Sequence, residues 1–355
     1  MTATHIDKTM PVLVTGATGY IAGHVVRRLL ADGFTVHAAV RDPHNAEKLK
    51  FLNAVASELP GSIEYFASDL LQQGSYENAM HGCELVFHTA SPCHLHVEDP
   101  QRDLVDPALQ GTRNVLQQAN QCESVRRVVV TSSCGAIYGD TADLQDLDAE
   151  KFTEEHWNFS STLNHQSYSY SKVVAEREAW KFANAQDRWD LVTVNPSAVF
   201  GPGLNPAATS ASYELIHKFA NGTMKSGVPD FGIGAVDVLD VAEAHMQAGF
   251  LPEATGRYLI SGHDTSFVEI GQVLRKHFGD DWPFPRKKVA RWILWLVGPL
   301  VDKTMTRKLV ARNVGFAFRA DNSKSIRELG LKYRPFEESL REFFQQLIDA
   351  GMTPD

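Results

Sequence analysis

Residues 12–30 read VLVTGATGYIAGHVVRRLL, a short β-branched run that leads through two glycines into an amphipathic helix. Gly16 and Gly19 lie in the turn between them. A glycine turn at a helix N-terminus lets backbone N–H groups approach a pyrophosphate closely. Ala22 fills the third glycine position and is small enough for close packing of helix on strand. A purely structural tight turn is the alternative. We predict a dinucleotide site with contacts from Gly16, Thr18, Gly19, Tyr20 and Ile21.

The same alternation of strand and helix continues along the first two-thirds of the chain. Continuously apolar strands separated by amphipathic helices are typical of a parallel sheet covered on both faces. We therefore predict a doubly wound α/β (Rossmann) domain over residues 1–200. Its predicted strands are Val12–Thr15, Thr35–Val40, Ile63–Ala67, Leu85–Thr89, Arg127–Thr131 and Leu191–Asn195. Its predicted helices are Tyr20–Ala31, Ala46–Leu59, Ser75–Met80, Leu104–Asn120 and Tyr168–Ala185.

From about Gly201 the pattern loosens into segments rich in glycine and proline. Loops that follow the carboxyl ends of parallel strands commonly build substrate pockets. We predict that residues 201–355 are mainly a small substrate lobe, interleaved with the sheet and partly returning to it. Its predicted helices are Ala211–Ala220, Val241–Phe250, Phe267–His277 and Phe336–Ala350.

The end of the second strand predicts which dinucleotide binds. An acidic residue there would accept from the ribose 2′-hydroxyl of NAD, but the first residue past the strand is Arg41. A guanidinium suits a 2′-phosphate, and Lys48 could add positive charge. Asp42 would reverse this preference if the register shifted by one residue, and Arg41 and Lys48 could instead be solvated surface charges. We favour NADP(H).

Short polar segments follow the third and fourth strands. Asp69 could accept from the adenine amino group while Leu70 packs on the ring, although Asp69 could also cap a helix. Thr89, Ala90 and Ser91 are small enough to let a ribose and a nicotinamide pass over the sheet edge. We include all five residues in the predicted cofactor site.

The candidate catalytic residues lie in the segment 167–172, SYSYSK. Tyr168 and Lys172 are four residues apart and share one helix face, whereas Tyr170 is on another face. A nearby ammonium favours phenolate over phenol, so this spacing suits a proton donor. Ser133, at the mouth of the fifth strand, could bind a carbonyl oxygen. An exposed tyrosine–lysine pair without function is the alternative.

Together these segments resemble the extended short-chain dehydrogenase/reductase family, in particular its dihydroflavonol reductases, cinnamoyl-CoA reductases and yeast-type aldehyde reductases. The resemblance covers nearly the whole chain and includes the motifs TGATGYIAGHVVRRLL, VRDP, VFHTASP, RRVVVTSSCGAIYG, YSYSKVVAE, NPSAVFGPG and LGLKYRPFEESLREFF. It implies a catalytic triad of Ser133, Tyr168 and Lys172, and phosphate contacts from Arg41 and Lys48. Further cofactor contacts implied by the resemblance are Pro196, Ser197, Val199 and Ser210.

Two departures from the family pattern concern the substrate. Tyr138 stands where dihydroflavonol reductases have an asparagine that reads substrate hydroxyls, which puts a flavonoid in doubt. The signature of plant cinnamoyl-CoA reductases is replaced by residues 165–169, HQSYS, so coenzyme A thioesters are unsupported. We predict a substrate pocket that includes Ser133, Tyr138 and His94, and a hydrophobic carbonyl or alcohol as the substrate.

Composition excludes several other classes of protein. Among 355 residues, 34 Lys and Arg against 43 Asp and Glu give a net charge of −9, which argues against nucleic acid as a partner. The four cysteines form no C-x-x-C pair, and we predict no metal and a cytoplasmic location. The apolar stretch Trp292–Leu300 is about half the length of a bilayer-spanning helix and predicts a core or cap helix without membrane contact.

The sequence thus predicts an NADPH-dependent reductase of aldehydes or ketones, as a monomer or a homodimer. Two alternatives within the same fold remain open: an NAD-dependent nucleotide-sugar epimerase or dehydratase, and a hydroxysteroid dehydrogenase. A non-catalytic NADPH-sensing protein is the alternative from another class.

Overall fold

The computed structural model describes residues 4–91, 97–208 and 210–352. Its strands are β1 (Val12–Thr15), β2 (Thr35–Val40), β3 (Ser62–Ala67), β4 (Leu85–His88), β5 (Arg127–Thr131), β6 (Asp190–Pro196), β7 (Ala198–Phe200), β8 (Gly232–Asp237), β9 (Gly256–Ile260) and β10 (His263–Ser266). Seven of them form one parallel sheet in the order β3-β2-β1-β4-β5-β6-β9. The order reverses next to β1, and ligands bind at such a switch point in doubly wound sheets.

Helices cover both faces of this sheet. The helices of the described structure are α1 (Tyr20–Ala31), α2 (Ala46–Glu58), α3 (Glu77–Met80), α4 (Asp106–Gln121), α5 (Asp143–Asp146), α6 (Ser167–Ala183), α7 (Ala211–Ala220), α8 (Val238–Phe250), α9 (Phe267–Phe278), α10 (Arg291–Val301), α11 (Arg307–Asn313), α12 (Ser323–Leu329) and α13 (Phe336–Asp349). Successive residues of a strand point to opposite faces of the sheet, and each face has its own apolar core. Val12 and Val14 pack with α1 and α8 on one face, whereas Leu13 packs with α4 and α6 on the other. The predicted doubly wound parallel fold is confirmed.

A second, three-stranded sheet has the order β10-β8-β7, with β7 parallel and β10 antiparallel to β8. It packs with α7, α9 and α13 around an aromatic core that includes Phe200, Phe219, Phe343 and Phe344. Between β8 and β10 the chain returns to the main sheet, because β9 pairs with β6. The second lobe is therefore interleaved in sequence with the sheet that carries the glycine turn.

Most predicted boundaries lie within two residues of the observed ones. The helix predicted from Leu104 instead follows a π-helical turn at Gln101–Val105, and α4 itself begins at Asp106. Pro107 explains this start, because proline fits the first turn of a helix, where its missing N–H is not needed. The wider turn before α4 leaves Leu104 and Val105 buried.

Of the two predictions for Trp292–Leu300, a core helix or a cap helix, the core helix is wrong. The helix α10 forms, but Trp292 is 67% exposed and Leu300 is 86% exposed. Trp295 is 41% exposed as well, so neither tryptophan belongs to the buried core. An apolar run is buried only if the fold packs another element against it. The periodicity of the sequence does not show whether such an element exists. None of the helices that the structure describes is long and apolar enough to cross a bilayer.

Candidate active site

The glycine turn between β1 and α1 has little room for a side chain at Gly16 or Gly19. Gly16 adopts φ +63°, and a Cβ atom there would lie 3.1 Å from Ala90 Cα. Gly19 is the N-cap of α1, and no side chain of the described residues caps the helix. The N–H groups of its first turn are thus open to an acceptor, at the positive end of the helix dipole. These features fit the pyrophosphate of a dinucleotide.

A cleft beside this turn is lined by residues that include Thr18, Gly19, Tyr20 and Lys48, together with Leu204, Asn205 and Ala208. Of the residues predicted to bind the adenosine half of the cofactor, Lys48 lines this cleft, whereas Arg41, Asp69 and Leu70 do not. Arg41 is exposed directly after β2, with its guanidinium available to a ligand. The sequence did not predict that the 204–208 loop lines this cleft, because the contact of the loop with Gly23 joins residues about 180 positions apart.

Tyr20 contributes its backbone to the turn rather than its ring. The Tyr20 hydroxyl donates to the carbonyl oxygen of Gly201 at 2.5 Å, and the ring packs against Tyr213 and Phe343 of the second lobe. Burial raises the pKa of Tyr20 well above its ordinary value. Ile21 packs against the core beside α1. Tyr20 and Ile21 are therefore available to a pyrophosphate through their N–H groups.

The segment after β3 forms a turn and not a helix N-terminus. The Asp69 carboxylate accepts from the Leu71 N–H at 2.8 Å, and the next helix begins only at Glu77. The carbonyl of Leu70 accepts from the Asn114 amide at 2.9 Å, which fixes the turn against α4. Helix capping by Asp69 is thus wrong, and its adenine role stays a prediction.

The segment after β4 links the glycine turn to the candidate catalytic helix. The Thr89 hydroxyl donates to the Thr15 carbonyl, and the Ala90 N–H donates to Thr15 Oγ1 at 3.0 Å. Ser91 Oγ accepts from Lys172 Nζ at 2.9 Å. Through these contacts the strand end joins the glycine turn on one side and α6 on the other.

The helix α6 presents Tyr168 and Lys172 on one face. Lys172 Nζ lies 5.4 Å from the centre of the Tyr168 ring, and the Lys172 side chain is largely buried while Tyr168 is 51% exposed. The phenol is therefore accessible to a ligand, and the ammonium is held at the sheet edge. Gln166, in the left-handed conformation at φ 56°, and its bond to the Gly139 carbonyl at 3.0 Å fix the start of this helix.

Ser132 and Ser133 differ in the freedom of their hydroxyls. Ser132 is buried and donates to Glu176, so its hydroxyl is already used. Ser133 accepts from the Gly135 N–H at 3.0 Å, which leaves its own hydrogen free to donate. A Cβ atom on Gly135 would lie 3.2 Å from Ser169 Cα, so the Ser133 turn packs against the first turn of α6.

A buried carboxylate lies one helical turn beyond Lys172. Glu176 accepts from Arg257 Nε at 2.5 Å and from Asn195 Nδ2 at 2.6 Å. Thr193 and Trp180 donate to the same side chain at 3.3 Å. The sequence prediction missed this cluster, although the spacing 168-172-176 places all three residues on one helix face. Glu176 ties α6 to β6 and β9.

His88 lies at the end of β4, close to Lys172. Its Nδ1 is 3.0 Å from Thr15 Oγ1. Burial and the neighbouring Lys172 ammonium lower the pKa of His88 to about 3. The imidazole therefore stays neutral, and Lys172 is the cation at this edge of the sheet.

The remaining predicted site residues fall into three groups. Pro196, Ser197 and Val199 lie at the end of β6 and in β7, and the Ser197 N–H donates to the Ile260 carbonyl at 3.0 Å. Ser210 caps α7 by accepting from the Tyr213 N–H at 3.3 Å. His94 lies outside the described residues.

Tyr138, five residues after Ser133, belongs to a cluster of aromatic side chains. Its ring stacks on Phe152 at 4.5 Å between centroids and lies 5.1 Å from Phe318. Its hydroxyl lies 3.9 Å from Cys134 Sγ, and burial raises its pKa well above the ordinary value. A phenol in this environment stays protonated.

Comparison with known proteins places the chain in a family. Residues 12–255 match the model of the NAD dependent epimerase/dehydratase family. The chain is 34% identical to cinnamoyl-CoA reductase CAD2 of Medicago truncatula over 352 residues, which cover 95% of each chain. It is 36% identical to tetraketide alpha-pyrone reductase 2 of Arabidopsis thaliana, over 78% of this chain and 84% of that protein.

Solved structures give the same result. Gre2 from Candida albicans, in complex with NADPH, has a TM-score of 0.76 at 29% identity, over 96% of this chain and 99% of that one. Yeast methylglyoxal/isovaleraldehyde reductase Gre2, also with NADPH, has a TM-score of 0.77 at 27% identity, over 97% of this chain and 100% of that one. The predicted resemblance is confirmed, and the chain belongs to the NAD dependent epimerase/dehydratase family of extended short-chain dehydrogenases/reductases.

Proposed function

We propose that this chain reduces a hydrophobic aldehyde or ketone to an alcohol at the face of α6 that carries Tyr168 and Lys172. The chain is an NADP(H)-dependent oxidoreductase that acts on carbonyl or CH–OH groups. The observation that carries the proposal is a series of contacts: Gly16 of the glycine turn packs against Ala90, and the next residue, Ser91, accepts from Lys172. These contacts put an accessible phenol next to the strand edge over which a nicotinamide would lie.

Each residue of the proposed triad has a distinct role. NADPH, when bound, supplies the hydride. The free hydrogen of Ser133 donates to the carbonyl oxygen and stabilises the charge that develops there. Tyr168 gives its phenolic proton to the same oxygen. Lys172 holds a ribose hydroxyl and favours the phenolate that remains, because its ammonium is fixed by Ser91 and shares the helix face of Tyr168.

The rest of the site supports binding and selectivity. The open N–H groups of α1 would hold the pyrophosphate, and Lys48 and Arg41 would hold the 2′-phosphate. Tyr138, with Phe152 and Phe318 behind it, offers an apolar wall beyond Ser133 that suits a hydrophobic substrate. We assign residues 1–200 to cofactor binding and catalysis, and the lobe after residue 200 mainly to the substrate.

The direct test follows NADPH absorbance with the purified chain and a panel of aliphatic, aromatic and flavonoid carbonyls. We expect oxidation of NADPH with apolar aldehydes or ketones. Ser133→Ala should lower turnover strongly, and Thr141→Ala, which removes another hydroxyl, should not. Binding of NADPH without turnover on any carbonyl, or release of tightly held NAD on denaturation, would contradict the proposal.

Replacing Arg41 by alanine is expected to lower the preference for NADPH over NADH by roughly ten- to a hundredfold in kcat/KM. A charged hydrogen bond to phosphate contributes about 1.5–3 kcal/mol, and NADH has no phosphate to lose. Steady-state kinetics with both cofactors measure the ratio. Lys50→Ala is the matched control, because Lys50 is an exposed cation of the same region that pairs with Glu47. An equal effect of Arg41→Ala on both cofactors would remove the phosphate role.

A further inference from the structure

The helix α10 exposes several large apolar side chains to solvent. Trp292, Leu296 and Leu300 are 67%, 49% and 86% exposed. They are four residues apart, so they form one stripe along the helix. Val297 and Val301, at 45% and 81% exposure, widen the stripe. Exposed apolar patches of this kind mark interaction surfaces.

The opposite side of α10 is the one that packs on the protein. Gly298 is buried, and a Cβ atom there would lie 2.8 Å from Met305 Cγ. Leu294, one turn earlier on the same side, is half-buried. Because Leu294 and Gly298 face inward, the stripe of Trp292, Leu296 and Leu300 faces solvent. The helix is thus fixed with the stripe outward.

Basic residues flank this stripe on both sides in the sequence. Seven cations and one acidic residue, Asp302, lie between residues 286 and 308, in a chain whose net charge is −9. The cations are all exposed: Arg286, Lys287, Lys288, Arg291, Lys303, Arg307 and Lys308. Two of them form ion pairs, Arg286 with Asp280 at 3.0 Å and Lys288 with Asp230 at 3.2 Å. Arg307 also stacks over the Trp295 ring at 4.7 Å. The apolar stripe therefore lies between two basic segments of an acidic protein.

We propose that α10 and its flanking basic residues bind the surface of an anionic lipid bilayer, with the helix lying in the plane of the interface. Tryptophan is enriched at the boundary between head groups and acyl chains, and arginine and lysine bind anionic head groups. A helix that lies in the interface combines an apolar side with basic residues, and α10 with its flanking segments has both. With 11 residues, α10 extends about 16 Å along its axis, which suits a helix on the bilayer and not across it.

Charge favours lipid over a second copy of the chain as the occupant of this face. Two-fold pairing of α10 on α10 would bring the basic flanking residues of two copies together around one apolar contact, and the ion pairs of Arg286 and Lys288 offset only part of this charge. Anionic lipid instead supplies the opposite charge around the same apolar stripe. The lipid proposal also differs from the sequence prediction of no membrane contact, which rested on the length of the apolar stretch.

The test is cosedimentation of the full chain with vesicles of phosphatidylglycerol and phosphatidylcholine, compared with vesicles of phosphatidylcholine alone. We expect binding to the anionic vesicles that is roughly tenfold stronger or more, and that weakens in high salt. Fluorescence of the exposed tryptophans should shift to the blue on binding. Failure to bind anionic vesicles, or equal binding to both kinds, would overturn the proposal.

Two sets of variants test the surface itself. W292E/L296E/L300E should abolish vesicle binding, whereas Ile326→Glu, at a 46% exposed apolar residue of α12, should not. K287Q/K288Q/K303Q should weaken binding to anionic vesicles, and the same exchange at the exposed Lys50, Lys181 and Lys276 should not. Unchanged thermal unfolding and NADPH binding show that each variant is folded. If the triple glutamate variant converts a dimer to a monomer and no variant alters vesicle binding, α10 is an interface between copies and the proposal is wrong.

Discussion

Replacing Tyr168 by phenylalanine is expected to lower kcat by roughly 10²- to 10⁴-fold, the usual contribution of a positioned proton donor. The ring and its packing stay, and only the phenolic hydrogen is lost. The dissociation constant of NADPH should change little, because the glycine turn, Lys48 and Lys172 are untouched. Stopped-flow or steady-state NADPH absorbance measures kcat, and fluorescence titration of the cofactor measures binding.

The matched control for this prediction is Tyr170→Phe on the same helix. Tyr170 is two residues from Lys172, on another face, and its hydroxyl should not matter for turnover. A large loss in both variants would indicate a general disturbance of α6 instead of a lost proton donor. Wild-type turnover in Tyr168→Phe would end the assignment of Tyr168 as the donor.

The parts of the site that the sequence predicted share one property: their geometry is local. The turn with Gly16 and Gly19 and the 168-172 spacing are each fixed within one element, so backbone sterics and helical periodicity are enough to predict them. The choice of Ser133 over Ser132 is different. It depends on which hydroxyl is already bonded, and the bond of Ser132 to Glu176 supports the prediction of Ser133.

What the sequence could not predict depends on contacts between distant segments. The partner of Glu176 is Arg257, 81 residues later, and β9 brings it to α6. The exposure of α10 also depends on distant segments, because it is set by how the other described elements pack around the helix. Composition shows that Trp292 is apolar, but only the packing of its neighbours shows that it faces solvent.

Replacing Glu176 by glutamine is expected to lower the free energy of unfolding by about 3–5 kcal/mol, which is typical when one partner of a buried ion pair is removed. The Glu176 and Arg257 side chains are 0% and 8% exposed, so solvent cannot replace the lost charge. The amide is nearly the same size, but it puts N–H groups where Ser132 and Asn195 already donate. Urea unfolding followed by far-UV circular dichroism measures the change.

The matched control is Glu337→Gln, which removes the same charge from an exposed pair with Lys276. Its urea midpoint should equal that of the wild type, because solvent already screens this pair. Arg257 makes further bonds to the carbonyls of Glu154 and His156, both at 2.6 Å. If those bonds alone held the guanidinium, Glu176→Gln would be as mild as the control, and Glu176 would not tie α6 to β9. A large loss of stability in Glu176→Gln alone would show that the helix face of Tyr168 and Lys172 is held in place by a buried charge.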